Sequence, residues 1–299
     1  MADTVVLVSG GAAVTPYTDV DHHAAEGLPA GNTLTALRRH LLDAGARVFT
    51  APARIGVGEA REDSGWQGFS DVPIVLPAQL TINAVGTIDA AGVALAAFVR
   101  WLAEAHGVTS LDLVAHSMGG LFSRAALREL QGNGPIVSRL VTLGTPWDGS
   151  LLGDVIDGEI TLGDAHGDEP TTQILQRSHA YAAANSQGAA EQVSRRFLRN
   201  WNQAQPGVLD QVRVTAIGGA HFHDAADPRQ LWPHDGLVSL ESARAEHVPH
   251  EVAPTIARQS FDDDVHSIFF ADAFELPWER ALTWNPDVHA YVSEALDGR

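Results

Sequence analysis

The stretch from Leu111 to Gly120 constrains this chain more than any other. Leu111-Asp112-Leu113-Val114-Ala115 reads as a buried strand, and Met118 to Leu130 reads as a helix with Leu121, Phe122, Ala125, Ala126 and Leu130 along one side. Only His116 and Ser117 separate them. A backbone that passes from strand to helix in so few residues must bend sharply, and strand and helix cross closely beneath the bend. The positions two before and two after the serine must therefore be small, and here they are Ala115 and Gly119. Such a bend pushes the Ser117 hydroxyl out at the C-terminal edge of a sheet. The start of the helix adds positive potential beside it.

The rest of the chain repeats the rhythm of strand followed by helix. Thr4 to Val8 is a β-branched run that stops at Ser9-Gly10-Gly11. Leu34, Leu37 and Leu41 sit at helical spacing over residues 33–44, with Asn32 placed to cap and Gly45 to stop the helix. Arg47 to Thr50 is a second strand, and Thr87 to His106 a helix ended by Gly107. Leu111 to Ala115 counts third, and Leu140 to Leu143 is a fourth strand. A fifth spans Val212 to Ile217, and a sixth is expected within residues 252–260. Pro286 opens a last helix through Val288, Tyr291, Val292 and Ala295. This alternation predicts an α/β fold: about six mostly parallel strands, covered by helices on both faces. Residues 147–205 break the rhythm with helical composition and no clear strand, which reads as a cap or lid inserted into a single domain spanning 1–299. Residues 52–86 are irregular, rich in Gly and Pro with Trp66 and Phe69, and so long a stretch is usually functional.

Composition narrows the functions. The net charge of −18 disfavours nucleic acid and anionic membrane surfaces as partners. No apolar run reaches the roughly 18 residues needed to span a bilayer. No signal peptide is visible, since Met1-Ala2-Asp3 leads straight into a strand, so the expected location is the cytoplasm or, for a trimmed mature form, outside it. With 0 Cys the chain has no disulfides, no Cys-ligated zinc or iron–sulfur cluster and no Cys nucleophile. Asp19, Asp21, His22, His23 and the trio His221, His223, Asp224 are ligand-type residues at spacings that match no metal pattern, and surface polar loops explain them more simply. No metal and no cofactor is therefore expected.

The segment Leu113-Val114-Ala115-His116-Ser117-Met118-Gly119-Gly120 resembles the nucleophile elbow of the α/β-hydrolase superfamily, closest to its bacterial lipase and esterase branches. The usual G-x-S-x-G becomes A-x-S-x-G, a departure of one methyl group. Two further segments carry the resemblance. Leu143-Gly144-Thr145-Pro146-Trp147-Asp148-Gly149-Ser150 is similar to the G-T-P-x-x-G-S stretch after the next strand in many lipases. His234-Asp235-Gly236-Leu237-Val238 is similar to the segment that supplies their catalytic acid.

A serine hydroxyl is a poor nucleophile near neutral pH, so it needs a base, and the base needs a carboxylate to orient it. The resemblance implies Ser117 as nucleophile and Asp235 as acid, with Asp224 and Asp227 as competitors. The base should follow the acid. By order His247, His250, His266 and His289 qualify, and His266 is preferred because it follows the sixth strand and precedes the final helix. His289 falls on that helix and reads as a surface residue. Asp262, Asp263 and Asp264 beside His266 read as a solvated acidic turn. An oxyanion hole needs two N–H donors; the resemblance implies the backbone of Met118 and, in the loop after the first strand, Gly11, with Ala12 as the fallback. Lipases usually carry His-Gly there, where this chain has Ser9-Gly10. His116 reads as a support for the turn. Trp147, Leu151 and Leu152, with Trp66 and Phe69, could line an acyl pocket, although core packing would explain each equally well.

The expected function is a cofactor-free serine hydrolase of hydrophobic carboxylic esters, an esterase or lipase working through an acyl-enzyme. Its partners would be a small acyl ester or a lipid, with interfacial contact through the lid. The same three residues would also serve a thioesterase, amidase, acyltransferase or polyester hydrolase, and a non-catalytic binding protein of the same fold is a further alternative.

Overall fold

The computed structural model describes residues 4–20, 31–61, 74–184, 188, 190–223 and 231–298. Asp21, His22, His23, Trp66, Phe69, Asp224 and Asp227, named above, lie outside the described residues.

In chain order the first elements are β1 (Thr4–Val8), α1 (Gly31–Asp43), β2 (Arg47–Thr50), the two-residue strands β3 (Ala53–Arg54) and β4 (Ile82–Asn83), and α2 (Ile88–His106). Next come β5 (Ser110–His116), α3 (Gly119–Leu130) and β6 (Ile136–Leu143). Three helices follow β6: α4 (Leu151–Ile156), α5 (Glu169–Ala184) and α6 (Arg195–Gln203). The chain finishes with β7 (Arg213–Gly219), α7 (Leu240–Ala243), β8 (Ile256–Phe261), α8 (Ile268–Ala273) and α9 (Pro286–Asp297).

Six strands form one sheet in the order β2-β1-β5-β6-β7-β8, and every neighbouring pair is parallel. The expected fold is the observed one, and the sheet is wholly parallel. Period-two burial explains why both faces are covered. In β1, Val6 and Val8 join the cluster that contains Leu95 and Phe98 of α2 and Leu121 and Phe122 of α3. Val5 and Leu7 turn the other way, onto Leu34, Leu37 and Leu41 of α1 and Val288 and Val292 of α9. A strand buried on both faces reads as a continuous apolar run, which is what Thr4 to Val8 shows.

Local signals set the helix ends. The Thr87 side chain accepts the Ala90 N–H at the start of α2, and Gly107 closes it in the left-handed conformation at φ 66°. Asn285 caps α9 by accepting from the Asp287 N–H, with Pro286 in the first turn. The helix α1 begins at Gly31, so Asn32 falls inside its first turn rather than before it.

Candidate active site

Ser117 stands between β5 and α3 with φ +56°, a conformation a non-glycine residue holds only when its surroundings impose it. Here they do. The Ser117 N–H donates to the Leu143 carbonyl at 2.8 Å, and its own carbonyl accepts the Thr145 hydroxyl at 2.7 Å. The turn is tight enough that a Cβ on Gly119 would lie 2.6 Å from the Val8 carbonyl oxygen, which is why a small residue is needed there.

The Ser117 Oγ is 2.9 Å from His266 Nε2, and His266 Nδ1 is 2.7 Å from Asp235 Oδ2. Asp235 accepts the Leu237 and Val238 N–H groups on its other oxygen, at 2.9 and 2.8 Å. With the carboxylate held as an acceptor, Nδ1 carries the imidazole proton and Nε2 faces the serine as the acceptor. The His266 N–H donates to the Asp235 carbonyl at 2.8 Å, so the two loops are also tied through their backbones. All three side chains are buried, with exposures of 7% for Ser117, 3% for His266 and 0% for Asp235.

Gly144, the glycine of the Gly-Thr-Pro segment, sits under this row. Its φ is +59°, and a Cβ there would come within 2.9 Å of His266 Nδ1 and 3.0 Å of Asp235 Oδ2. His116 lies beside the His266 ring, 4.8 Å between centroids, and donates from Nε2 to the His266 carbonyl at 2.9 Å. Burial, and next the neighbouring His266 imidazole, push His116 down to about 3, so it stays neutral and works as a fixed donor. His234, beside Asp235, is buried and pushed down to about 4 by desolvation. It accepts the Gly236 N–H on Nδ1 and meets the Thr171 hydroxyl of α5 through Nε2 at 3.2 Å.

Ser117 and His266 open onto a cavity of about 830 Å³. Gly11 and Met118 line it, and among the described residues no backbone acceptor takes either N–H. The Ala12 N–H is used instead by the Ala84 carbonyl at 3.0 Å, which leaves the fallback donor occupied. Apolar wall comes from Ala13, Ile55, Leu152 and Phe270, and from α5 through Ile174 and Tyr181.

The other expectations divide. Leu152 lines the cavity, but Trp147 and Leu151 do not. Trp147 is fully buried beneath the sheet edge, donating to the Thr142 hydroxyl at 3.1 Å with the Arg124 guanidinium over its ring. Leu151 packs into a satellite cluster with Leu231 and Trp232. Of the two leucines that open α4, only Leu152 turns toward the cavity.

His289 is not a surface residue. It is 5% exposed and bonds the Thr283 carbonyl through Nε2 at 2.9 Å. His247 pairs with Glu241 at an exposed site, and His250 is exposed. The acidic turn before His266 is split: Asp262 and Asp263 are exposed, whereas Asp264 is buried and accepts from Asn285 Nδ2 on both oxygens. Burial raises Asp264 to about 6. The supporting roles of Thr145 and Asn285 had no signal in the sequence beyond the Gly-Thr-Pro segment and the Asn-Pro helix start. No group of three or more metal-ligating side chains occurs among the described residues.

The chain belongs to the alpha/beta hydrolase fold family, whose model matches residues 4–208. The match contains Ser117; Asp235 and His266 lie beyond it. Among solved structures, the chain is similar to the mature lipase BlEst2 of Bacillus licheniformis at 15% identity and TM-score 0.52, over 87% of this chain and 84% of that one. It is similar to the lin2722 gene product of Listeria innocua at 15% identity and TM-score 0.53, over 99% and 94%. The Pyrococcus furiosus esterase Pf2001 matches at 15% identity and TM-score 0.50, over 99% and 83%. At such identity these are likenesses of fold. No curated protein matches the chain.

Proposed function

We propose that the protein is a serine hydrolase of carboxylic esters. The observation that carries this reading is the continuous row Asp235–His266–Ser117, with contacts of 2.7 and 2.9 Å, ending in a hydroxyl on the wall of an apolar cavity. The resemblance to lipases and esterases, and the names borne by two of the fold neighbours, support it.

In this reading the Ser117 Oγ attacks the ester carbonyl carbon while its proton passes to His266 Nε2. Asp235 stabilises the imidazolium and holds its tautomer. The Gly11 and Met118 N–H groups donate to the carbonyl oxygen as negative charge develops on it. His266 then hands its proton to the departing alcohol. A water molecule, deprotonated by the same nitrogen, attacks the acyl-serine and releases the acid and Ser117.

The segment 147–205 acts as a cap within a single domain. Its helix α5 supplies one wall of the cavity through Ile174, Ser178 and Tyr181. Phe269 and Ile55, each 48% exposed, stand at the same cavity and form an apolar rim suited to contact with lipid-like substrates.

The test is Ser117→Ala, assayed on p-nitrophenyl esters from acetate to palmitate and by fluorophosphonate labelling. Wild type should turn over the esters and take the label, and the variant should do neither while keeping its fold by circular dichroism. Turnover surviving in the variant would remove Ser117 from the chemistry.

A further inference from the structure

The catalytic cavity carries a charge asymmetry that ester hydrolysis does not require. Asp and Glu make up 37 of the 299 residues and the chain's net charge is −18. None of the described residues lining the cavity is acidic, and the one Lys or Arg among them is Arg177. Arg177 lies on α5 three residues after Ile174 and four before Tyr181, so helical spacing places all three on one face, the face that lines the cavity. Among the described residues its guanidinium meets no carboxylate. It lies over the Phe274 ring instead, 5.7 Å from the centroid. An aromatic ring accepts no fork of N–H bonds, so this contact leaves the guanidinium donors for an oxyanion in the geometry that suits carboxylate and phosphate.

We infer that Arg177 is a specificity-determining residue, and that the preferred substrates are amphiphilic esters in which an apolar stretch separates the scissile ester from a carboxylate or phosphate. The apolar stretch lies along Ile174 and Leu152, the ester carbonyl reaches Ser117, and the anionic end meets Arg177 at the edge of the apolar wall. The inference rests on the ester-hydrolase reading above and names its substrate class. Arg177 is exposed at the rim, so the discrimination comes from attraction of an acidic substrate, with no carboxylate among the described lining residues to oppose it.

The experiment compares p-nitrophenyl hexanoate with the p-nitrophenyl half-ester of adipic acid, matched in acyl length and differing in the terminal carboxylate. An alcohol-side pair, ethyl butyrate and 2-phosphoethyl butyrate, tests phosphate and the other end of the substrate. The readout is the ratio of kcat/KM for the acidic over the neutral ester at low ionic strength. In wild type this ratio should exceed unity by about tenfold for at least one pair, and it should shrink as salt is added. Arg177→Gln should bring the ratio to about one, and Arg177→Lys, which keeps the charge and loses the fork, should retain part of it. Equal ratios in wild type and Arg177→Gln, with the neutral esters still turned over, overturn the inference and leave the hydrolase reading standing. Absence of turnover on every ester together with absence of fluorophosphonate labelling in wild type overturns both.

Discussion

At the residue scale the site depends on conformations its side chains would not choose alone. Ser117 holds φ +56° because the Leu143 carbonyl and the Thr145 hydroxyl bind both of its backbone groups. Thr145→Val removes the hydroxyl at nearly constant shape and leaves the Ser117 carbonyl with the Gly120 N–H, at 3.1 Å, as its remaining donor. We expect a loss of roughly 0.5–1.5 kcal/mol in stability, read by denaturant unfolding, and a lower kcat. Asp235→Asn keeps the geometry but permits the wrong imidazole tautomer. Turnover of p-nitrophenyl butyrate at pH 7 should fall about a thousand- to ten-thousand-fold, and a variant within tenfold of wild type would remove Asp235 from its proposed role. Gly144→Ala introduces a methyl group about 3 Å from His266 Nδ1 and Asp235 Oδ2 at φ +59°. It should separate that pair, so kcat should collapse in a protein whose circular dichroism still shows the sheet and helices.

At the element scale, the strands and long helices were legible in the sequence because each carries its own periodicity. The run Thr4 to Val8, the α2 stripe and the Pro286 helix start all reappear where the pattern put them. Side-chain destinations on short helices were less legible. Leu151 and Leu152 are adjacent on α4, and adjacent helical positions point about 100° apart, so only one could face the cavity. Which one did so depended on the packing of α4 against Leu231 and Trp232. His289 on α9 was misplaced by residue type rather than by spacing: it stands three residues before Val292 and seven before Leu296 on the buried face, where its Nε2 bonds the Thr283 carbonyl. Asn285 joins two elements, capping α9 and binding Asp264 ahead of the His266 loop. Asn285→Ala should therefore cost more than an ordinary cap, beyond about 1 kcal/mol, and should slow turnover as well. A change in melting temperature with kcat unaffected would separate the cap from the site.

At the scale of the whole molecule, charge sets two further expectations. Asp154 and Asp264 are buried, and burial raises each from 3.8 to about 6. Folded, both groups hold protons that the unfolded chain has released, so between about pH 4 and 6 stability falls as pH rises, and the penalty is fully present above that window. Asp154→Asn or Asp264→Asn should flatten the stability profile across it, each by at most about 3 kcal/mol; a variant as steep as wild type would show that the carboxyl titrates normally. The net charge of −18 adds self-repulsion that salt screens, so the melting temperature should rise between low salt and 0.5 M sodium chloride. The sequence by itself determined the strand–helix alternation and the cramped serine bend, because periodicity and residue size act over neighbouring positions of the chain. The meeting of Ser117 with His266 and Asp235, 149 and 118 positions further on, the burial of Trp147, and the cavity wall that includes Arg177 were decided only by the tertiary structure. The parallel sheet brings the ends of distant strands to one edge, and no local rule states which side chains will face one another across it.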